Sequence, residues 1–116
     1  MPQESANAAS THRQSAAAGL ARMFPRATRV WIPVRVTALS ASMPEPAEHT
    51  VIEYGTSREV LFASVLPLEF EDRVRVENSD GSLRAEASVV AVRLSEGGRA
   101  VAARFLSEVG NWIIKP

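Results

Sequence analysis

The sequence predicts an all-β protein: a small antiparallel barrel or sandwich of about six short strands. Three observations support this prediction. Short segments alternate apolar and polar residues, two Gly-containing turns separate such segments, and helical periodicity is scarce. Closure into a barrel is favoured because it removes exposed strand edges. At 116 residues, the chain forms one domain at most.

The first 21 residues are predicted to form a disordered tail, and residues 22–116 are predicted to form the folded domain. After Met1, this segment is rich in Ala, Ser, Gln and Asn and has no large apolar residue before Leu20. It buries too little surface to offset the entropy lost on ordering. The alternative for its end is a weak Ala-rich helix from Ser15 to Met23, which is marginal at that length.

The first strand is predicted from about Arg29 to Ala38. Its apolar residues fall at every second position, the period of a strand with one buried face: Val30, Ile32, Val34 and Val36. Trp31 and Pro33 point the other way. Pro33 indicates an edge or a bulge, and Trp31 is expected either to stack on a base or to pack under a loop.

The later strands are separated by turn signals. A Pro-rich loop follows from Leu39 to His49, and strands are then predicted at Thr50–Tyr54, Arg58–Ser64, Arg73–Glu77, Leu83–Leu94 and Arg99–Leu106. Hairpin turns are predicted at Asn78–Ser82 and Glu96–Gly98, because glycine supplies the positive φ that tight turns need. The apolar phase slips at Ser88–Val90, which predicts a bulge. The end, Asn111–Pro116, is expected to add a short strand or to pack Trp112 over the barrel end.

Composition limits the classes of function. The 13 basic and 13 acidic residues give zero net charge, so no global field attracts nucleic acid or an anionic membrane. The absence of cysteine excludes disulfides, thiol catalysis and zinc–cysteine sites. No apolar run has the length of a signal peptide or a membrane span, so we expect a soluble, cytoplasmic protein with no membrane insertion.

No enzymatic chemistry is indicated. His12 lies in the predicted tail and His49 ends the Pro-rich loop, and neither belongs to a catalytic triad or a metal-binding spacing. The acidic residues Glu69, Glu71 and Asp72 are interpreted as a solvated connection rather than a cation site. We therefore expect a protein that is not an enzyme and has no catalytic residue, metal or cofactor.

An arginine-rich arm precedes the first strand. Arg22 and Arg26 are four residues apart on a segment broken by Pro25, and Arg29 follows. Guanidinium groups bind phosphates and guanine edges in a bidentate manner, so the arm is a candidate anion clamp. The alternative is a polar lead-in to the strand. Arg58, at the start of the third strand, joins this site if the first and third strands are neighbours.

These features resemble the PilZ domain family over about Arg22 to Pro116. The arm Arg22-Met-Phe-Pro-Arg26 is similar to the family's R-x-x-x-R motif and precedes a strand that contains Pro33-Val-Arg-Val36. The family's later strands resemble the segment that consists of EFEDRVRV, a hairpin, AEASVVAVR and AVAARF. The resemblance implies a six-stranded antiparallel barrel that binds cyclic di-GMP, with Arg22 and Arg26 gripping the ligand and Arg29 in reserve.

The family's second motif, Asp/Asn-x-Ser-x-x-Gly, is only partly present. Alignment on Val60–Phe62 puts Tyr54, Thr56 and Glu59 at its defining positions. Only Thr56 is chemically close, and Glu59 adds bulk and negative charge where glycine allows near approach. The resemblance implies a bacterial regulatory module in which the ligand-binding residues are Arg22, Arg26, Arg29 and Thr56. Arg58 is added to this candidate site on its position at the start of the third strand alone.

Two alternatives stay open. A degenerate member of the family binds no nucleotide and acts as a protein-interaction adaptor, so an unidentified protein partner is expected. A single-stranded nucleic-acid binder on an OB-like barrel needs a basic groove with aromatic residues. Zero net charge and an aromatic content of 6% argue against that class, and we expect no nucleic-acid polymer as partner.

Overall fold

The computed structural model describes residues 16–39, 45–95, 98–110 and 112. These residues form a closed six-stranded antiparallel barrel and a short helix, which confirms the predicted fold class. Around the barrel the strand order is β1-β2-β3-β6-β5-β4, and β4 pairs back onto β1. The elements are α1 (Ala16–Ala21), β1 (Thr28–Ala38), β2 (Ala47–Gly55), β3 (Glu59–Ser64), β4 (Arg73–Asn78), β5 (Arg84–Ser95) and β6 (Gly98–Phe105).

The alternating apolar residues of the strands fill the barrel interior, as their spacing predicts. Most are β-branched, which suits the pleated surface of a sheet. The fully buried interior residues include Val36, Ile52, Val60, Phe62, Val74, Val76, Val89, Val101 and Ala103. The second strand starts earlier than predicted: His49 is an exposed β2 residue opposite Arg35, not the end of a loop. Pairing with β1 extends β2 to Ala47, and residues 40–44 lie outside the described residues.

Three local features follow from the sequence signals. The register of β5 against β6 shifts between Val89 and Ala91, where the phase slip predicts a bulge. Gly81 has a φ of 80°, as the β4–β5 hairpin turn requires. Pro33 pairs with β2, whereas the pairing with β4 begins at Val34. The proline therefore occupies an edge-like stretch of β1, where its missing N–H is tolerated.

Helix α1 packs on the outside of the barrel. Leu20 is 1% exposed and forms a cluster with Leu61, Ala100 and Ala102, hereafter the helix-side cluster. The small alanines let the helix approach the sheet closely. Residues 16–21 thus form the short Ala-rich helix that is the alternative for the end of the tail predicted at Met1–Ala21. They pack on the barrel because burial of Leu20 stabilises a helix too short to be stable alone. Residues 1–15 lie outside the described residues.

The strands β1, β2 and β3 carry irregularities where they meet. The registers shift between Arg29 and Ile32 on β1 and between Ile52 and Tyr54 on β2. Residues two apart in a regular strand share a face. Here Ile52 lies in the interior, whereas Tyr54 packs against the helix-side cluster. The bulge therefore turns Tyr54 outward.

Trp112 covers one end of the barrel, hereafter the arm end, where β1 and β3 begin and β2 and β6 end. Its indole is 7% exposed and packs edge-on against Phe105, with ring centroids 5.6 Å apart. Gly55 makes room for it, since a Cβ at that position would lie 2.3 Å from Cη2 of Trp112. This packing is one of the two outcomes predicted for the C-terminal segment; residues 111 and 113–116 are outside the described residues. No described helix has both the length and the apolar character needed to cross a membrane.

Candidate functional site

The arm, Arg22–Ala27, connects α1 to β1 and is anchored to the barrel. The Met23 N–H donates to the Leu20 carbonyl at 2.9 Å, and the Ala27 N–H donates to the Phe24 carbonyl at 2.8 Å. Pro25 takes the second position of this latter turn, where its fixed φ is favourable. Phe24 packs against the helix-side cluster. The arm therefore has a defined path across the barrel.

The arginines of the arm region are exposed. Arg22 and Arg26 are exposed on the arm, and Arg29 is exposed at the start of β1, opposite Tyr54. Among the described residues, no carboxylate forms a salt bridge with Arg26 or Arg29. Although the net charge of the chain is zero, these three arginines place several positive charges in one region of the surface.

The β2–β3 turn brings two further predicted residues to the same end. Strands β1 and β3 are not neighbours, because β2 lies between them, but both begin at the arm end. Thr28 pairs with Gly55, which precedes the turn that contains Thr56 and Arg58. Arg58 is exposed, and its carbonyl accepts the Phe105 N–H at 2.9 Å. The five predicted ligand-binding residues therefore lie on the arm, the first residues of β1 and the β2–β3 turn.

The hydroxyl of Thr56 is used within this turn. It accepts the N–H groups of Arg58 and Glu59 at 3.0 and 2.9 Å. It donates its own proton to Glu59 Oε1 at 2.5 Å. Thr56 is predicted from the sequence as a polar ligand contact. In the structure its hydroxyl forms hydrogen bonds that stabilise the start of β3.

Glu59 is buried and paired with Arg104, a residue that the sequence analysis did not single out. The two are cross-strand partners on β3 and β6. Arg104 donates from Nε and Nη2 to Glu59 Oε2 at 3.0 and 2.8 Å. The Arg104 side chain is 51% exposed, whereas that of Glu59 is 12% exposed. Thr56, Glu59 and Arg104 are hereafter the turn cluster, in which both carboxylate oxygens have donors.

The acidic residues between β3 and β4 stabilise that connection. The Glu69 N–H donates to Asp72 Oδ2 at 2.9 Å, and Arg99 Nη1 lies 3.5 Å from Glu69 Oε2. Arg99 also donates to the Leu68 carbonyl at 2.8 Å. In the part of the chain that the structure describes, no group of three or more His, Asp or Glu residues is placed to hold a metal ion.

Comparison with family models, with curated proteins and with solved structures finds no match for this chain. The resemblance to the PilZ family therefore rests on the sequence features described above. The closed six-stranded barrel agrees with the architecture that this resemblance implies.

Proposed function

We propose that this chain is a PilZ-like regulatory module that binds an anionic nucleotide, with cyclic di-GMP as the first ligand to test. The observation that supports this proposal is the exposure of Arg22, Arg26 and Arg29 around an anchored arm. Arg26 and Arg29 have no salt bridge to a described carboxylate, so a phosphate does not have to displace a counter-ion from them. The proposed role is regulatory binding and not catalysis.

The anchoring of the arm matters for affinity. Ordering a loop on binding opposes association. Phe24 and the turn that contains Pro25 already fix the backbone between α1 and β1, so mainly the arginine side chains lose freedom when a ligand binds. Bidentate guanidinium–phosphate bonds then supply strong, directional contacts.

The experiment is isothermal titration with cyclic di-GMP of the full chain, of Arg26→Ala and of Arg35→Ala. Arg35 is the matched control, because it is an exposed β1 arginine far along the strand from the arm. We expect micromolar binding that Arg26→Ala weakens by about tenfold or more and Arg35→Ala leaves unchanged. Absence of heat from the full chain would refute the ligand assignment, and full affinity in Arg26→Ala would refute the arm as the site.

A second candidate function is a protein-interaction adaptor. Met23 on the arm and Trp31 on β1 are each 68% exposed. Trp31 is therefore not packed under a loop, which is one of the two alternatives that the sequence indicates. Exposed Trp, Met and Arg together are the residue types enriched in protein interfaces. A photo-crosslinking residue at position 31 should then capture a discrete partner in bacterial cells. The same residue at Phe70, which is 64% exposed on the β3–β4 connection, is the control. Identical adducts from both positions would contradict this function.

A further inference from the structure

We propose that the Glu59 carboxylate is an internal anion, which occupies an oxyanion site formed by Thr56 and Arg104 and thereby lowers the affinity of the arm end for anionic ligands. The choice of nucleotide as ligand rests on the proposed function. The internal site itself rests on the contacts of the turn cluster.

The donors around Glu59 are those that proteins use for oxyanions. One carboxylate oxygen receives the Thr56 hydroxyl proton at 2.5 Å, and the other receives two N–H bonds from Arg104 at 3.0 and 2.8 Å. Hydroxyl groups and guanidinium forks bind phosphate oxygens with similar geometry. Thr56 and Arg104 therefore form a site suited to an oxyanion, and the carboxylate of Glu59 occupies this site.

Exposure separates the two partners. Half of the Arg104 side chain is accessible (51%), whereas only 12% of the Glu59 side chain is. An anion that approaches the arm end can reach the Arg104 guanidinium but meets the negative charge of Glu59 behind it. Two negative charges that share one guanidinium repel each other in a poorly solvated place. The ligand must therefore tolerate or displace this carboxylate.

The position links this effect to the arm. The turn cluster starts β3 at the arm end, and the Arg58 N–H donates to the same Thr56 hydroxyl that contacts Glu59. A ligand held by Arg29 and Arg58 thus lies at the same barrel end as the internal anion. Glu59 is accordingly a residue that determines affinity and selectivity, because it disfavours ligands with a second negative charge.

The first experiment measures thermal unfolding of three proteins in phosphate and in chloride at equal ionic strength. They are the full chain, Glu59→Ala and the double variant Glu59→Ala/Arg104→Ala. Glu59→Ala empties the site, so its melting temperature should be a few degrees higher in phosphate than in chloride. The other two proteins should show only the smaller rise that phosphate gives to all three through its exclusion from the protein surface and through the exposed arm arginines. An equal response of Glu59→Ala and the double variant would overturn the internal site.

The second experiment uses Glu59→Gln, which keeps the size of Glu59 and one acceptor oxygen for Arg104 but places an amide NH2 where the other oxygen accepts the Thr56 hydroxyl proton. Thermal unfolding of this variant first verifies that it is folded. Titration with cyclic di-GMP should show affinity about tenfold or more above that of the full chain. Glu69→Gln, which removes the same charge from the β3–β4 connection, is the control and should leave affinity unchanged. Equal affinity for Glu59→Gln and the full chain would overturn the effect of Glu59 on nucleotide binding.

The two proposals fail in different ways. Phosphate-specific stabilisation of Glu59→Ala without nucleotide binding by any variant would refute cyclic di-GMP as the ligand and support the internal oxyanion site. Nucleotide binding that Arg26→Ala removes and Glu59→Gln does not change would support the arm and refute the internal anion.

Discussion

The arm end has two halves: an open half, formed by the arm and the start of β1, and a closed half, formed by the turn cluster. The charged side chains of the open half are exposed, whereas those of the closed half pair with each other. On the arm and the start of β1, Arg26 and Arg29 extend into solvent without a described carboxylate partner. In the turn cluster, Glu59 and Arg104 neutralise each other under partial burial. One half is thus open to an external anion, and the other half supplies its own. The fold therefore leaves guanidinium groups accessible on the arm and pairs the guanidinium of the turn cluster with a carboxylate.

The largest effect is expected from Leu20→Ala, which tests whether the arm depends on its helical anchor. Leu20 is 1% exposed in the helix-side cluster, and truncation of such a residue costs about 2–5 kcal/mol. Urea unfolding measures this loss, and cyclic di-GMP affinity should fall although every arginine is retained. Val65→Ala is the control, since Val65 is 88% exposed and its truncation should change stability by less than about 0.5 kcal/mol. A Leu20→Ala protein as stable as the full chain would show that the arm is positioned without the helix.

Gly55→Ala tests whether the stability of the β2–β3 turn depends on the packing of Trp112 against Gly55. The new Cβ would lie 2.3 Å from Cη2 of Trp112, and such overpacking costs about 1–3 kcal/mol. The indole Nε1 has no hydrogen-bond partner in the described part of the chain, and the ring packs against Phe105. In a Trp31→Phe background, fluorescence should shift to longer wavelength as Trp112 becomes hydrated.

Gly110→Ala is the matched control for this substitution. A Cβ at Gly110 would meet no atom of the described residues within 4 Å, so neither stability nor fluorescence should change. An unshifted spectrum and full stability in Gly55→Ala would show that Trp112 adapts without leaving the barrel end.

Arg104→Gln tests the closed half directly. It leaves the Glu59 carboxylate in place, with only 12% exposure and a weaker partner. We expect a loss of about 1–3 kcal/mol in the free energy of unfolding, below the range for fully buried pairs because Arg104 is half exposed. Arg26→Ala, in the open half, should change stability by less than about 0.5 kcal/mol. Equal losses for the two variants in urea unfolding would remove the distinction between the halves.

The barrel follows from local sequence signals. Alternation in β1, β4 and β6 identifies the buried face of each strand, and Gly81 marks the β4–β5 turn. The phase slip at Ser88–Val90 locates the β5 bulge. These signals act over a few residues, where steric and burial preferences are strong.

The turn cluster and the docking of α1 depend on contacts between distant segments. Glu59 and Arg104 are 45 residues apart and meet only through the β3–β6 register. Leu61 lies between two interior residues of β3, and its burial becomes understandable once α1 covers the outer face. Likewise, the bulge that turns Tyr54 outward leaves no mark in the β2 sequence. Alternation assigns a face to each residue but not the partner that lies on that face.

Asp80 provides an exposed turn against which the Thr56 turn can be compared, and the smallest effect is expected there. Asp80 Oδ1 accepts the Ser82 N–H at 2.8 Å, the same two-residue reach that links Thr56 to Arg58. The hydrogen bond from the Ser82 N–H lowers the pKa of the Asp80 carboxyl from its ordinary value of 3.8. Because the folded pKa is the lower one, the carboxylate contributes stability above pH 3.8, and this contribution is lost as the pH falls below that value. Urea unfolding of the full chain and Asp80→Ala should therefore differ slightly at pH 7, and this difference should shrink as the pH falls below 3.8. A difference that grows on acidification would contradict the stabilising role of the ionised Asp80 carboxylate in this turn.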